Sequence, residues 1–251
     1  MAENLHVIVI GTGILGASIA YHLTRLNVRV TIIEKANHFA SQVTEKSFAW
    51  IVDNYNDADN SQYLKNHAIA EWHQVEKDFK GQMKINWSGS IMWRGSLSDT
   101  KIAARELINI GEKFRVLDRK EIKILEPNLK EIPEKAIFAN NEGSINPITA
   151  TKLFLQAAVE AGANIEFNNQ VKAFKTNGSI ITGVITKNGI INSDLVVLAA
   201  GTESAKLCKQ LGINLPITIS PSILIKIQTV NQKADETKRQ VKPGRDTHTC
   251  F

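Results

Sequence analysis

The chain has 251 residues, enough for one large domain or two interleaved ones, and its 43% hydrophobic and 22% charged content is ordinary for a soluble globular protein. The net charge of +5 is modest, and the lysines are scattered beside acids. No basic stripe argues for nucleic acid, which excludes that class of partner. The apolar stretch 7–23 is interrupted by Gly11, Gly13, Gly16 and His22 and follows no positive segment, so it reads as neither a signal peptide nor a transmembrane span. Cys208 and Cys250 form no CxxC pair, and the default setting is cytoplasmic. Histidines 6, 22, 38, 67, 73 and 248 show no ligand spacing, so no metal is expected.

The first element is Val7–Ile10, a continuous apolar run of the kind buried on both faces of a parallel sheet. Gly11, Gly13 and Gly16 then fit G-x-G-x-x-G. The first glycine permits a tight turn, the second admits a diphosphate, and the third lets helix and strand pack closely. A helix follows, with Ile19, Ala20, Leu23 and Leu26 at helical spacing, and its N-terminus suits a diphosphate. VRVTIIEK is a second buried strand, with Glu34 at its end, where a carboxylate accepts from a ribose diol and disfavours a 2′-phosphate. This βαβ unit reads as a dinucleotide site.

A simple nucleotide-binding domain would continue at once with helix and strand, but here about 110 residues intervene. They comprise a compact aromatic segment (SQVTEKSFAWI), a long helix (57–79), a strand (SGSIMWRGS), a second helix (SDTKIAARELINIGEKF) and a short helix stopped by Pro127. The core resumes with the helix PITATKLFLQAAVEAGA and the strand NIEFN. VKAFKTN, IITGVITKN and GIINS form an antiparallel meander around N-G turns; SDLVVLAAG is a further buried strand, and a helix follows. A meander between the third and fourth parallel strands disfavours an NAD-dependent dehydrogenase.

On these residues the chain resembles the FAD-dependent oxidoreductases of the D-amino-acid oxidase, glycine oxidase and sarcosine oxidase group. VIVIGTGILGASIAYHLTRLNVRVTIIEK is similar to their N-terminal fingerprint, and TEKSFAWI to their segment beneath the flavin. GSIMWR, the stretch from ILEP to NNQV, and TGVITKNGIINSDLVVLAAGTESAKLCKQLGINLPI carry the likeness to about residue 225. The resemblance implies an α/β fold: an FAD-binding Rossmann-like parallel sheet of the glutathione-reductase type with an antiparallel meander, plus an inserted α+β substrate domain. The expected division is 1–55 and 145–215 for FAD, 56–144 and 216–230 for a partial substrate domain, and 231–251 as a polar tail.

The resemblance implies that Gly11, Gly13, Ile14, Leu15 and Gly16 hold the FAD diphosphate, that Glu34 binds the ribose and that Lys35 flanks it. Thr44, Ser47 and Ala49 match the segment near flavin and diphosphate, Val171 the position whose backbone meets adenine, and Gly201 the closing strand. It implies oxidation of the carbon–nitrogen bond of a small amine or amino acid, and leaves homo-oligomerisation open. Trp50, Trp93 and Arg94 read equally as substrate-side residues or as core aromatics and a surface arginine. Relatives of this group are longer, so the chain is expected to be C-terminally truncated. The alternative reading is therefore a noncatalytic FAD-binding fragment.

Overall fold

The computed structural model describes residues 5–52, 62–109, 114–219, 223–224 and 240–243. In chain order come β1 (His6–Ile10), α1 (Ile14–Arg25), β2 (Arg29–Ile33), β3 (Trp50–Ile51), α2 (Gln62–Asp78), β4 (Ser90–Trp93) and α3 (Leu97–Asn109). Next are β5 (Arg115–Asp118), α4 (Arg119–Leu125), β6 (Lys135–Ala139), β7 (Gly143–Ser144), α5 (Pro147–Glu160) and β8 (Asn164–Glu166). The order closes with β9 (Val171–Asn177), β10 (Ile180–Thr186), β11 (Gly189–Asn192), β12 (Leu195–Leu198), a 3-10 turn (Gly201–Glu203), α6 (Ser204–Lys209) and β13 (Gln240–Pro243). The chain divides into two compact units, Met1–Phe48 with Asn146–Ile227, and Ala49–Ile145 with Gln228–Phe251.

The first unit is built on a parallel sheet in the order β12-β1-β2-β8. All five residues of β1 are buried, because both faces of this strand are covered. Of the sequence stripe Ile19, Ala20, Leu23 and Leu26, only Ala20 is fully buried; Ile19 and Leu23 are half-buried, Leu26 is 65% exposed, and Gly16, Ala17, Tyr21 and Thr24 complete the buried side of α1. Small residues win that face because they allow close approach, and Tyr21 then meets Phe154 of α5 with ring centroids 5.3 Å apart. Asn146 starts α5 by accepting from Ile148 N and Thr149 N, both at 3.0 Å, with Pro147 in the first turn.

The meander pairs antiparallel in the order β11-β10-β9. Val171 and Val184 from this meander join Ile8, Ile10, Ile33 and Leu207 in one buried cluster. Each such side chain contributes about 1.5–3 kcal/mol when fully buried. Their packing fixes the meander to the C-terminal half of the parallel sheet, which is where a site must form.

The second unit holds a sheet in the order β13-β4-β6-β5 and the pair β3-β7. On one side of its sheet Met92 and Ile137 pack with Ala103, Ala104 and Leu107 of α3. Elsewhere Ile91, Leu117, Ile122 and Ala136 cluster, with Trp93 against them. A capping box starts α4: Asp118 Oδ1 accepts from Glu121 N and Glu121 Oε2 from Asp118 N, each at 2.9 Å. Donation from Glu121 N holds the Asp118 carboxyl below its usual range. Within the expected polar tail, Gln240–Pro243 instead pair in parallel with β4, and the rest of 231–251 lies outside the described residues. No helix among the described residues is long and apolar enough to cross a membrane.

Candidate functional site

The glycine turn joins β1 to α1 by close backbone contacts. Gly11 has φ +108°, its N–H donates to Ile33 O at 2.8 Å, and an added Cβ would lie 2.5 Å from Ala199 O. A Cβ on Gly16 would collide with the Gly11 carbonyl, so this glycine sets how closely the helix meets the turn. Gly13 differs: its Cβ would meet only Thr44 Oγ1, at 3.3 Å. The space in front of Gly13 is therefore open to a ligand. Gly13 caps α1 without a side chain, and Thr44 Oγ1 accepts from Ile14 N at 3.1 Å.

Glu34 follows the last residue of β2 and is 7% exposed. Its Oε2 accepts from Thr12 N at 2.9 Å and Thr12 Oγ1 at 2.7 Å, while Oε1 accepts from Ala36 N at 2.9 Å. A carboxylate offers about four acceptor positions. Three are filled here by the protein, which fixes the carboxylate and leaves capacity for one further donor.

A cleft of about 910 Å³ runs through this region. Of the residues expected from sequence, Gly11, Gly13, Ile14, Leu15, Glu34, Lys35, Thr44, Val171 and Gly201 line it together. Leu15, 70% exposed, is an apolar side chain on the cleft wall. Gly16, Ser47 and Ala49 do not line it: Gly16 is buried beneath the turn, and Ala49, at φ +50°, opens the second unit. Gly201 is not in the closing strand, which ends at Leu198; it starts the 3-10 turn with φ +57° and open space beside it. Its requirement is conformational rather than steric.

Sequence reasoning missed Asn169, Lys172, Leu215 and Ile217, which also line the cleft. The stretch INLPITI carried a signal for the last two, since every second residue in it is apolar. Among the substrate-side candidates, Trp93 packs in the second unit's core and Trp50 Nε1 donates to Glu142 Oε2 at 3.0 Å. Arg94 is half-buried, its N–H donating to Thr100 Oγ1 at 2.9 Å. Among the described residues, no group of three His, Cys, Asp or Glu is placed to hold a metal.

The site thus combines an open glycine turn at a helix start, a fixed carboxylate at the end of the neighbouring strand, and apolar walls, features that suit a dinucleotide. A family model described as FAD dependent oxidoreductase matches residues 6–250. The chain is 26% identical over 228 residues to glycine oxidase of Pseudomonas aeruginosa, covering 84% of this chain and 59% of that protein. It is 26% identical over 249 residues to 4-methylaminobutanoate oxidase (formaldehyde-forming) of Paenarthrobacter nicotinovorans, covering 94% of this chain and 29% of that protein. Among solved structures, glycine oxidase from Bacillus cereus superposes with TM-score 0.74 at 24% identity over 82% of this chain and 58% of its own. L-proline dehydrogenase from P. horikoshii gives TM-score 0.77 at 22% identity over 97% and 65%. These structures share the fold, and the chain spans 29% and 59% of the two curated relatives' lengths. With a family match from residue 6 to residue 250, on a fold that these solved structures share, the chain belongs to the FAD dependent oxidoreductase family.

Proposed function

We propose that this chain binds FAD in the cleft of its first unit and serves the oxidation of a carbon–nitrogen bond in a small amine or amino acid. The observation that carries the reading is the convergence of the open glycine turn, the fixed Glu34 carboxylate and Val171 on one cleft. In this reading Gly11, Gly13, Ile14 and Leu15 hold the diphosphate from the start of α1, with Gly16 setting the turn from below. Glu34 accepts from the ribose diol with Lys35 beside it, Val171 meets adenine through its backbone, and Gly201 lets the chain bend around the cofactor. Thr44 orders the helix start, while Ser47 and Ala49 lead the chain away toward the flavin. When bound, FAD supplies the two-electron acceptor for the carbon–nitrogen oxidation, and the imine product hydrolyses in water. The protein binds and orients. The two cysteines without paired spacing support a cytoplasmic setting.

The test is reconstitution of the purified chain with FAD, followed by anaerobic addition of a panel of small amines and amino acids. A retained flavin spectrum that bleaches with one of them supports the whole reading. Flavin that is retained but bleaches with none supports the noncatalytic alternative. No retained flavin overturns the proposal.

A further inference from the structure

Asn169 is fully buried, on the segment that leads from β8 into the meander, and it lines the cleft two residues before Val171. Its side chain joins two groups of opposite kind. Nδ2 donates to Glu166 Oε2 at 2.6 Å, and Oδ1 accepts from Asn188 N at 3.2 Å. A carboxylate only accepts and a backbone N–H only donates, so the partners themselves fix which way the amide points. Its own N–H donates to Glu34 O at 2.9 Å, beside Glu34 N to Glu166 O at 2.9 Å and Asn168 N to Ala36 O at 2.8 Å. On the meander side Lys187 N donates to Gln170 O at 2.8 Å, and Val171 pairs with Thr186. Asn169 is therefore the junction between the strand end carrying Glu34, the sheet-edge strand β8 and the β10–β11 turn.

We infer that Asn169 is a positioning residue for the adenosine half of the cofactor, holding the Glu34 carboxylate and the Val171 backbone at the spacing that a nucleoside diphosphate bridges. The inference rests on the FAD reading above. Loss of the Nδ2 donor sets Glu166 against an unmatched group, and loss of Oδ1 leaves the Asn188 N–H to Thr186 Oγ1 alone, at 3.1 Å, which cuts the side-chain link to the β10–β11 turn. Either change loosens the meander edge against Glu34, and the binding energy is then spent on restoring the spacing.

Calorimetric titration with ADP, which carries adenosine and diphosphate without flavin, isolates this end of the site. Asn169→Asp places two carboxylates face to face and is expected to weaken both ADP and FAD about tenfold or more. Adding Glu166→Gln reverses the polarity of the bond, because the amide is now on the β8 side and donates to the new carboxylate. The double variant is expected to bring ADP affinity back to within about threefold of the parent. Glu166→Ala, at a half-buried position, breaks the same bond and is expected to weaken ADP in a chain with an unchanged apo melting temperature. Parent-like ADP affinity in Glu166→Ala, or a folded double variant that binds no better than Asn169→Asp, overturns the inference. A parent chain that binds neither ADP nor FAD overturns the FAD reading instead.

Discussion

Thr12 donates twice to one oxygen of Glu34, from its backbone N–H at 2.9 Å and from its hydroxyl at 2.7 Å. Both residues are buried, so the carboxylate is oriented before any ligand arrives. Glu34 therefore has a structural role besides the binding role proposed for it. Glu34→Ala leaves the Thr12 donors and Ala36 N without their acceptor, and each unsatisfied buried group costs about 1–3 kcal/mol. The expected result is a chain less stable by about 2 kcal/mol in urea, with FAD binding weaker by about 1.5–3 kcal/mol. Thr12→Val removes only the hydroxyl and should show smaller losses in both. Unaltered stability in Glu34→Ala would mean that the Thr12 bonds carry no weight.

The three glycines of the turn are expected to fail differently. Gly11 and Gly16 face backbone atoms that cannot yield, so Gly16→Ala should destabilise the apo chain by about 1–3 kcal/mol or more. Gly13 has extended backbone at φ −68° and faces only a side-chain oxygen. Gly13→Ala should leave urea unfolding within about 0.5 kcal/mol of the parent while weakening FAD, and Gly13→Val should weaken it further than Glu34→Ala. Equal melting of the Gly13 and Gly16 variants, with full flavin in the former, would place the diphosphate elsewhere.

The turn and the meander were legible because their signals are local. Gly11, Gly13 and Gly16 lie within six positions, and the N-G turns sit between short apolar runs. The strands β5, β6 and β7 escaped because RVLD buries only Leu117, β7 is two residues long, and KAIFA owes its burial on both faces to pairing between β4 and β5 rather than to an apolar alternation of its own. Most of the buried face of α1 escaped for a different reason. Helical periodicity favours large apolar residues, so of the buried face it found Ala20 but not Gly16 and Ala17, which close packing over the turn selected. Asn169 was illegible because its importance lies in two partners, Glu166 and Asn188, whose spatial meeting depends on how β8 joins the meander.

FAD is expected to be held without a covalent bond. None of the described residues lining the cleft is a cysteine or a histidine, the side chains that would attach to the ring. Acid precipitation of reconstituted protein should release all yellow colour to the supernatant. Colour retained in the washed pellet would show an attachment point outside these residues.

Stability is expected to fall on mild acidification, through His6. This residue opens β1, is buried, and pairs Nε2 with Thr31 Oγ1 at 2.9 Å. Burial, and then the neighbouring Arg29 charge, hold its imidazole below the ordinary 6.5, outweighing the opposite pull of the Asn192 backbone and Asp194. The folded chain thus resists a proton that the unfolded chain accepts near 6.5. Since the unfolded state binds more protons in this window, stability rises with pH. The contribution is complete above the ordinary value and is lost as pH falls from there toward the lowered folded value. One site contributes at most about 1.4 kcal/mol per pH unit. Urea midpoints at about pH 7.5 and about pH 5.5, in the parent and in His6→Gln, isolate it, because glutamine keeps a polar partner for Thr31 and takes up no proton in this range. The parent should lose more stability on acidification than the variant; parallel losses in the two chains would assign the pH dependence to other groups.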